Sequence, residues 1–206
     1  VPEAWISPEG NSAAFLPYVE GVAAGARILD CAAGPGVLAV GLAQRGFDVT
    51  ATDASPGMVE RTSALAAAEG VDVVTRQCLW EDLGAQGFAP FDAVLCVGNS
   101  IAHARGHDAR RAALAAMAGV LEPGGVLVVT SRNFELIRAE PYALKVFDHV
   151  VVRDGKPGVP IYSWWTAEAW DDMHEFDVAV ALIGEDGTVT TAGERLQFWP
   201  YRHETL

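Results

Sequence analysis

Through the first two-thirds of the chain, short apolar runs alternate with helical patterns, the signature of a parallel sheet wrapped by helices. "ARILDCA" at 26–32 predicts the first strand, and "GVLAVGLAQRG" predicts a helix from Gly36 to a stop at Gly46. "FDVTATD" is the second strand, completing a βαβ unit by Asp53. Ser55-Pro56 then supplies an N-cap and a first-turn proline for an alanine-rich helix that runs to about Glu69 and ends at Gly70. "VDVVTRQCL" predicts a third strand, "FDAVLCVG" a fourth, 108–121 a helix, "EPGG" a turn and "VLVVTSR" a fifth strand.

From about residue 140 the pattern changes. Trp, Tyr, Val and Thr dominate, and "RDGKPG" and "GEDGT" read as hairpin turns between extended segments. Antiparallel strands are predicted at about 145–153, 160–169, 173–184 and 187–199, with "TAEAWDDMHEF" open to a helical turn instead. The expected architecture is α/β: a doubly wound, Rossmann-like, mostly parallel sheet over residues 1–139, with an antiparallel β appendage over 140–206 belonging to the same domain.

Composition narrows the partners. A formal net charge of −13 over 206 residues repels phosphate backbones, and the 14 Lys and Arg form no basic stripe, so nucleic acid is excluded as the expected partner. "VPEAWISPEG" is not a signal sequence, and no uncharged apolar run approaches bilayer length, so neither export nor a membrane anchor is expected. The three cysteines, Cys31, Cys78 and Cys96, lie in or beside apolar segments without C-x-x-C spacing. Packed thiols in a reducing cytoplasm are expected, with no metal site.

Candidate chemistry begins in "LDCAAGPGVL". Gly34 and Gly36 allow a tight turn and the approach of a ligand to peptide N–H groups at a helix N-terminus. The third glycine of a G-x-G-x-x-G fingerprint is Ala39 here. Asp30 precedes the loop and Asp53 closes the second strand, where a carboxylate can accept both hydroxyls of a ribose; capping of the following helix is the alternative. In open parallel sheets ligands bind outside the carboxyl ends of the strands, which brings Gly98-Asn99-Ser100 beside this loop.

These residues carry a resemblance. "ILDCAAGPGVLAVGLAQRGFDVTATDAS" resembles the opening of class I S-adenosylmethionine-dependent methyltransferases. The resemblance implies S-adenosyl-L-methionine as cofactor, with the acid at Asp30 under its methionine end, Asp53 on its ribose and Met58 against its adenine. It places Leu79 and Trp80 along the adenine pocket, and Ala33, Gly34, Gly36 and Val97 complete the implied cofactor set. Core packing is the alternative for Met58 and Trp80.

"FDAVLCVGNSIAHA", with "SRNFE" after the fifth strand, is similar to the glycine and sarcosine N-methyltransferase branch over roughly 26–135, and more loosely to "VPIYSWW" and "RLQFWPY". That likeness implies that Asn99 and Arg132 hold a substrate carboxylate, and that Tyr162 contributes to the amine site. Arg132 suits the task, since a guanidinium grips a carboxylate through two parallel hydrogen bonds; an internal salt bridge to Glu135 or Asp30 is the alternative. His103 reads either as a proton acceptor or as a helix-start hydrogen bond. Phe176 with Asp177, and Phe198 with Trp199, stand where the family has tyrosines, so a bulkier or more apolar amine than glycine is anticipated; core packing is the alternative for Phe198 and Trp199.

Methyl transfer to the nitrogen of a small carboxylate-bearing amine is therefore expected, with O- or C-methylation of another small metabolite, a dinucleotide-dependent oxidoreductase and a non-catalytic cofactor-binding module as rivals. The family normally adds a covering N-terminal segment, another helix and a terminal antiparallel strand pair; these are expected to be missing or shortened. The exposed edge beside the fifth strand would then invite pairing with another copy of the chain.

Overall fold

The computed structural model describes residues 7–19, 21–22, 25–139, 144–153, 155–170 and 172–206. The chain divides into two units, Val1–Ile101 with Arg111–Ser131, and Ala102–Arg110 with Arg132–Leu206. The division falls at Ser131/Arg132, earlier than the change of character read near residue 140; the turn at Gly98-Asn99 belongs to the first unit and Ala102–Arg110 to the second.

The first unit holds α1 (Pro8–Val19), β1 (Arg27–Asp30), α2 (Val37–Gln44), β2 (Asp48–Asp53), α3 (Pro56–Glu69), β3 (Val74–Gln77), β4 (Phe91–Cys96) and β5 (Leu121–Val129). Its sheet is parallel throughout, in the order β3-β2-β1-β4-β5. Strand order reverses beside β1, whose neighbours are β2 and β4, which is where a doubly wound sheet opens a crevice at its carboxyl edge. Aliphatic side chains fill the core, among them Ile28, Leu29, Leu38, Leu42, Val49 and Leu95.

Local signals set the helices. Ser55 has extended backbone before Pro56, and Gly70, with a φ of 67°, ends α3 after Glu69, as the sequence predicts. Helix α4 (Gly106–Ala118) stops short of the predicted residue 121, because Leu121 already pairs with Phe91. Val126 then faces Ala93, so the "EPGG" turn is a four-residue excursion inside β5.

The second unit carries an antiparallel sheet of β6 (Lys145–Val146), β7 (Val151–Arg153), β8 (Lys156–Trp165), β9 (His174–Ile183) and β10 (Val189–Phe198), ordered β10-β9-β8-β6 with β7 also against β8. The predicted 145–153 strand is therefore two short pieces. The turn predicted at "RDGKPG" includes Asp154, outside the described residues, whereas "GEDGT" closes with Gly184 N–H donating to the Thr188 carbonyl at 2.8 Å. No helix forms among the described residues of "TAEAWDDMHEF". A short helix, α5 (Phe134–Ala139), was not anticipated; the Asn133 side chain caps it by accepting the Leu136 N–H at 2.9 Å.

Candidate functional site

In the first unit, β1 ends at Asp30 and the loop 31–36 leads into α2. Asp30 is 1 % exposed. Its Oδ1 accepts the Ala32 N–H at 3.4 Å, and its Oδ2 is buried with no hydrogen-bond partner. Burial pushes the carboxyl up to about 7, opposed by the Ala32 N–H and reinforced by the Asp53 charge. An orphaned buried acceptor is costly to the protein alone and is suited to a donor brought by a ligand.

Asp53 is a hub. Its Oδ2 accepts the Gly34 N–H and its Oδ1 the Ser55 N–H, both at 2.9 Å. The second bond is the capping alternative made real, yet each carboxylate oxygen keeps a further lone pair for a ribose hydroxyl. Gly34, with a φ of 55°, has open space where a Cβ would stand, whereas at Gly36 a Cβ would meet Thr62 Cγ2 at 2.6 Å. The loop is pinned from outside as well: Trp80 donates its indole N–H to the Cys31 carbonyl at 2.8 Å, and Thr62 donates its hydroxyl to the Gly34 carbonyl at 2.9 Å.

Ala33 and Val97 are buried, Met58 and Trp80 half-buried, and Leu79 exposed. Thr62 escaped the sequence reading because a threonine within a helix carries no motif. Its signal was a β-branched polar residue in an alanine-rich run that otherwise buries only Ala66.

After β4 the chain turns through Gly98 and Asn99 with φ of 74° and 71°. Asn99 is the one non-glycine residue among those described with a positive φ, a conformation asparagine tolerates better than most. Gly98 N–H donates to Thr130 Oγ1 at 3.0 Å, tying this turn to the end of β5.

The second unit gathers aromatic rings on one face of its sheet. Trp164 stacks on Phe176 at 4.2 Å, and Phe198 packs near both at 6.0 and 6.1 Å. The Arg132 guanidinium lies over Phe176 at 4.9 Å and Trp164 at 5.3 Å. Tyr162 meets Phe176 and Phe147 edge-on at 5.1 and 4.5 Å. Phe176 thus stands on the aromatic face, and Phe198 is a core residue. Asp177 alternates to the opposite face, where it accepts from Arg195 and from the Trp165 indole; these bonds hold its carboxyl below the usual range.

His103 Nδ1 donates to the Gln197 carbonyl at 2.9 Å, and its ring lies 4.7 Å from Phe198. That bond fixes the proton on Nδ1 when the ring is neutral and ties the Ala102–Arg110 segment of the second unit to β10.

A family model described as "Methyltransferase domain" matches residues 28–125. The chain is 38 % identical over 112 residues to glycine/sarcosine N-methyltransferase of Parasynechococcus marenigrum, covering 54 % of this chain and 40 % of that one. It is 30 % identical over 192 residues to human glycine N-methyltransferase, covering 85 % and 64 %. Among solved structures, S-adenosylmethionine-bound CalS10, an amino pentose methyltransferase from Micromonospora echinaspora, superposes with a TM-score of 0.74 at 21 % identity, covering 97 % of this chain and 79 % of that one. Streptomyces venezuelae DesVI gives 0.75 at 18 %, covering 98 % and 80 %.

Residues 28–125 thus match a methyltransferase domain, and the chain shares the fold of CalS10 and DesVI.

The residues of this loop fit S-adenosyl-L-methionine, the cofactor the sequence resemblance implies, with an orphaned buried carboxylate oxygen at Asp30 and an open glycine at Gly34. The chain spans less than two thirds of the length of either curated relative. No helix among the described residues is long and apolar enough to cross a membrane.

Proposed function

We propose that this chain transfers a methyl group from S-adenosylmethionine to the nitrogen of a small amino acid or related carboxylate-bearing amine. Bound S-adenosylmethionine supplies a methyl group activated by a positive sulfur. In this reading Asp30 accepts the ammonium of the methionine part, Gly34 and Gly36 let it approach the backbone, Asp53 takes the ribose, and Met58, Leu79 and Trp80 border the adenine. Ala33 and Val97 supply apolar contact. Arg132 takes the acceptor's carboxylate, Asn99 contacts the acceptor through its side-chain amide, and Tyr162 lends an aromatic face to the positive charge shared between sulfur and nitrogen.

The supporting observation is the placement of Arg132. Its guanidinium carbon lies over the rings of Trp164 and Phe176, a contact that orders the side chain. The names of the relatives point the same way. His103 is given no proton-transfer step, because its bond to the Gln197 carbonyl accounts for its position. A neutral amine needs no dedicated base, so positioning carries most of the rate.

The test is transfer of labelled methyl to a panel of amino acids and of uncharged amines. Arg132→Ala raises KM for the carboxylate-bearing acceptor on the order of a hundredfold, by loss of a charge-assisted pair, and leaves the cofactor Kd unchanged. Equal losses for acceptor and cofactor, or equal rates on amines lacking a carboxylate, would remove Arg132 from this role.

A further inference from the structure

Gly34 is gripped at both ends of its own residue. Its N–H donates to Asp53 Oδ2 at 2.9 Å, and its carbonyl accepts the Thr62 hydroxyl at 2.9 Å, 28 residues away in sequence. A buried threonine inside a helix commonly satisfies its hydroxyl on a carbonyl one turn earlier in its own helix. Thr62 is 1 % exposed and instead reaches out of α3 to the loop. The same side chain packs beneath Gly36, where the approach leaves no room for a Cβ. One residue of α3 therefore touches both glycines of the loop, with its hydroxyl on the first and its methyl and backbone under the second.

We infer that Thr62 is a positioning residue for the cofactor: by holding the Gly34 carbonyl it keeps the Gly34 N–H on Asp53, and so keeps the Asp53 carboxylate aimed at the ribose hydroxyls. This rests on the reading of Asp53 as the ribose acceptor. Gly34 has a φ of 55° and no side chain to anchor it, so the two hydrogen bonds decide how its flanking peptides lie. Loss of the hydroxyl frees the carbonyl to rotate, and the N–H loses its register on Oδ2. Asp53 then keeps only the Ser55 N–H to orient it. The effect appears on ligand parts that touch Asp53 and not on the others.

That selectivity is what the experiment reads. S-adenosylhomocysteine and its 2′-deoxy analogue are titrated calorimetrically into the wild-type protein, Thr62→Val and Thr62→Ser, with thermal unfolding of each unliganded protein alongside. Valine keeps the shape and removes the donor; serine keeps the donor. Thr62→Val should weaken S-adenosylhomocysteine about five- to tenfold, the scale of one hydrogen bond, and narrow the gap between the two ligands. Thr62→Ser should restore most of that gap.

If Thr62→Val leaves the gap at its wild-type size, whether or not it lowers the unfolding temperature, Thr62 is only a packing residue and the inference is overturned. If the wild-type protein binds both ligands equally, Asp53 does not read the ribose, and that reading falls first, taking this one with it. Thr62→Ala, read by the same gap, stands in should the valine variant fail to fold.

Discussion

Strand β4 of the first unit buries five of its six residues, while β10 of the second exposes eight of its ten, and the chemistry of each unit follows from that difference. A parallel strand covered on both faces must be apolar nearly throughout, and the carboxylates and amide of the candidate site, Asp30, Asp53 and Asn99, stand at or just beyond the carboxyl ends of β1, β2 and β4. An antiparallel strand open on one face alternates: Trp164 and Phe176 face inward, while Glu175 and Asp177 meet Arg195 outside. The first unit concentrates its polar residues at one edge. The second spreads cations over aromatic rings, with Arg110 on Tyr201, Arg132 on Trp164 and Phe176, and Arg138 on Trp170.

The sharpest way to break this contrast is to make equal truncations in both sheets. Leu95→Ala in β4 costs about 3 kcal/mol, since the void cannot collapse between layers covered on both sides. Thr191→Ala in β10 stays within about 0.5 kcal/mol. Chemical denaturation followed by tryptophan fluorescence checks both, and equal costs would show that β10 is covered in solution.

An effect of comparable size, but dependent on pH, is expected at the edge of the parallel sheet. The Asp30 carboxyl rises from 3.8 to about 7 on folding, so the folded protein binds a proton there that the unfolded chain has released. That contribution to stability is complete below pH 4 and is lost as pH rises through 7, because the charged form must then be buried. Asp30→Asn carries no such loss. Its unliganded stability should gain on the wild type between pH 4 and 7 and run parallel above, while its affinity for S-adenosylmethionine falls. Parallel unfolding curves over the whole range would place Asp30 in contact with water.

The smallest change belongs to the outer face of the second sheet. Arg195→Ala removes the pairs with Asp177 and Glu175, but the partners are solvated, so no resolvable shift in unfolding midpoint is expected and methyl transfer is unaffected. A clear loss of stability would mean that this face is buried against something.

Legibility in the sequence tracked how local each cause is. The ends of α3 were readable because Ser55-Pro56 and Gly70 act within one turn of chain, and the central strands β1 and β4 because burial on both faces leaves mostly apolar runs. The glycine loop and its flanking acids stood out as a motif. The second unit was legible only as antiparallel: strand ends blurred because one-sided burial tolerates many residues, and α5 was lost because its six residues rest on one Asn133 cap. Phe198 could not be told from a site residue, since an aromatic ring on a strand suits either place until its neighbours are known.

By itself, then, the sequence determined the alternation of strands and helices in the first unit, the antiparallel character of the second and the carboxyl-edge location of the site's polar groups, all consequences of periodicity and short motifs. Tertiary structure alone decided that Asp30 keeps an oxygen without a partner, that Asp53 holds Gly34 as well as Ser55, and that Thr62 leaves its own helix to do the same from the other side. Burial and hydrogen-bond partners depend on segments tens of residues apart meeting in space, which periodicity does not encode.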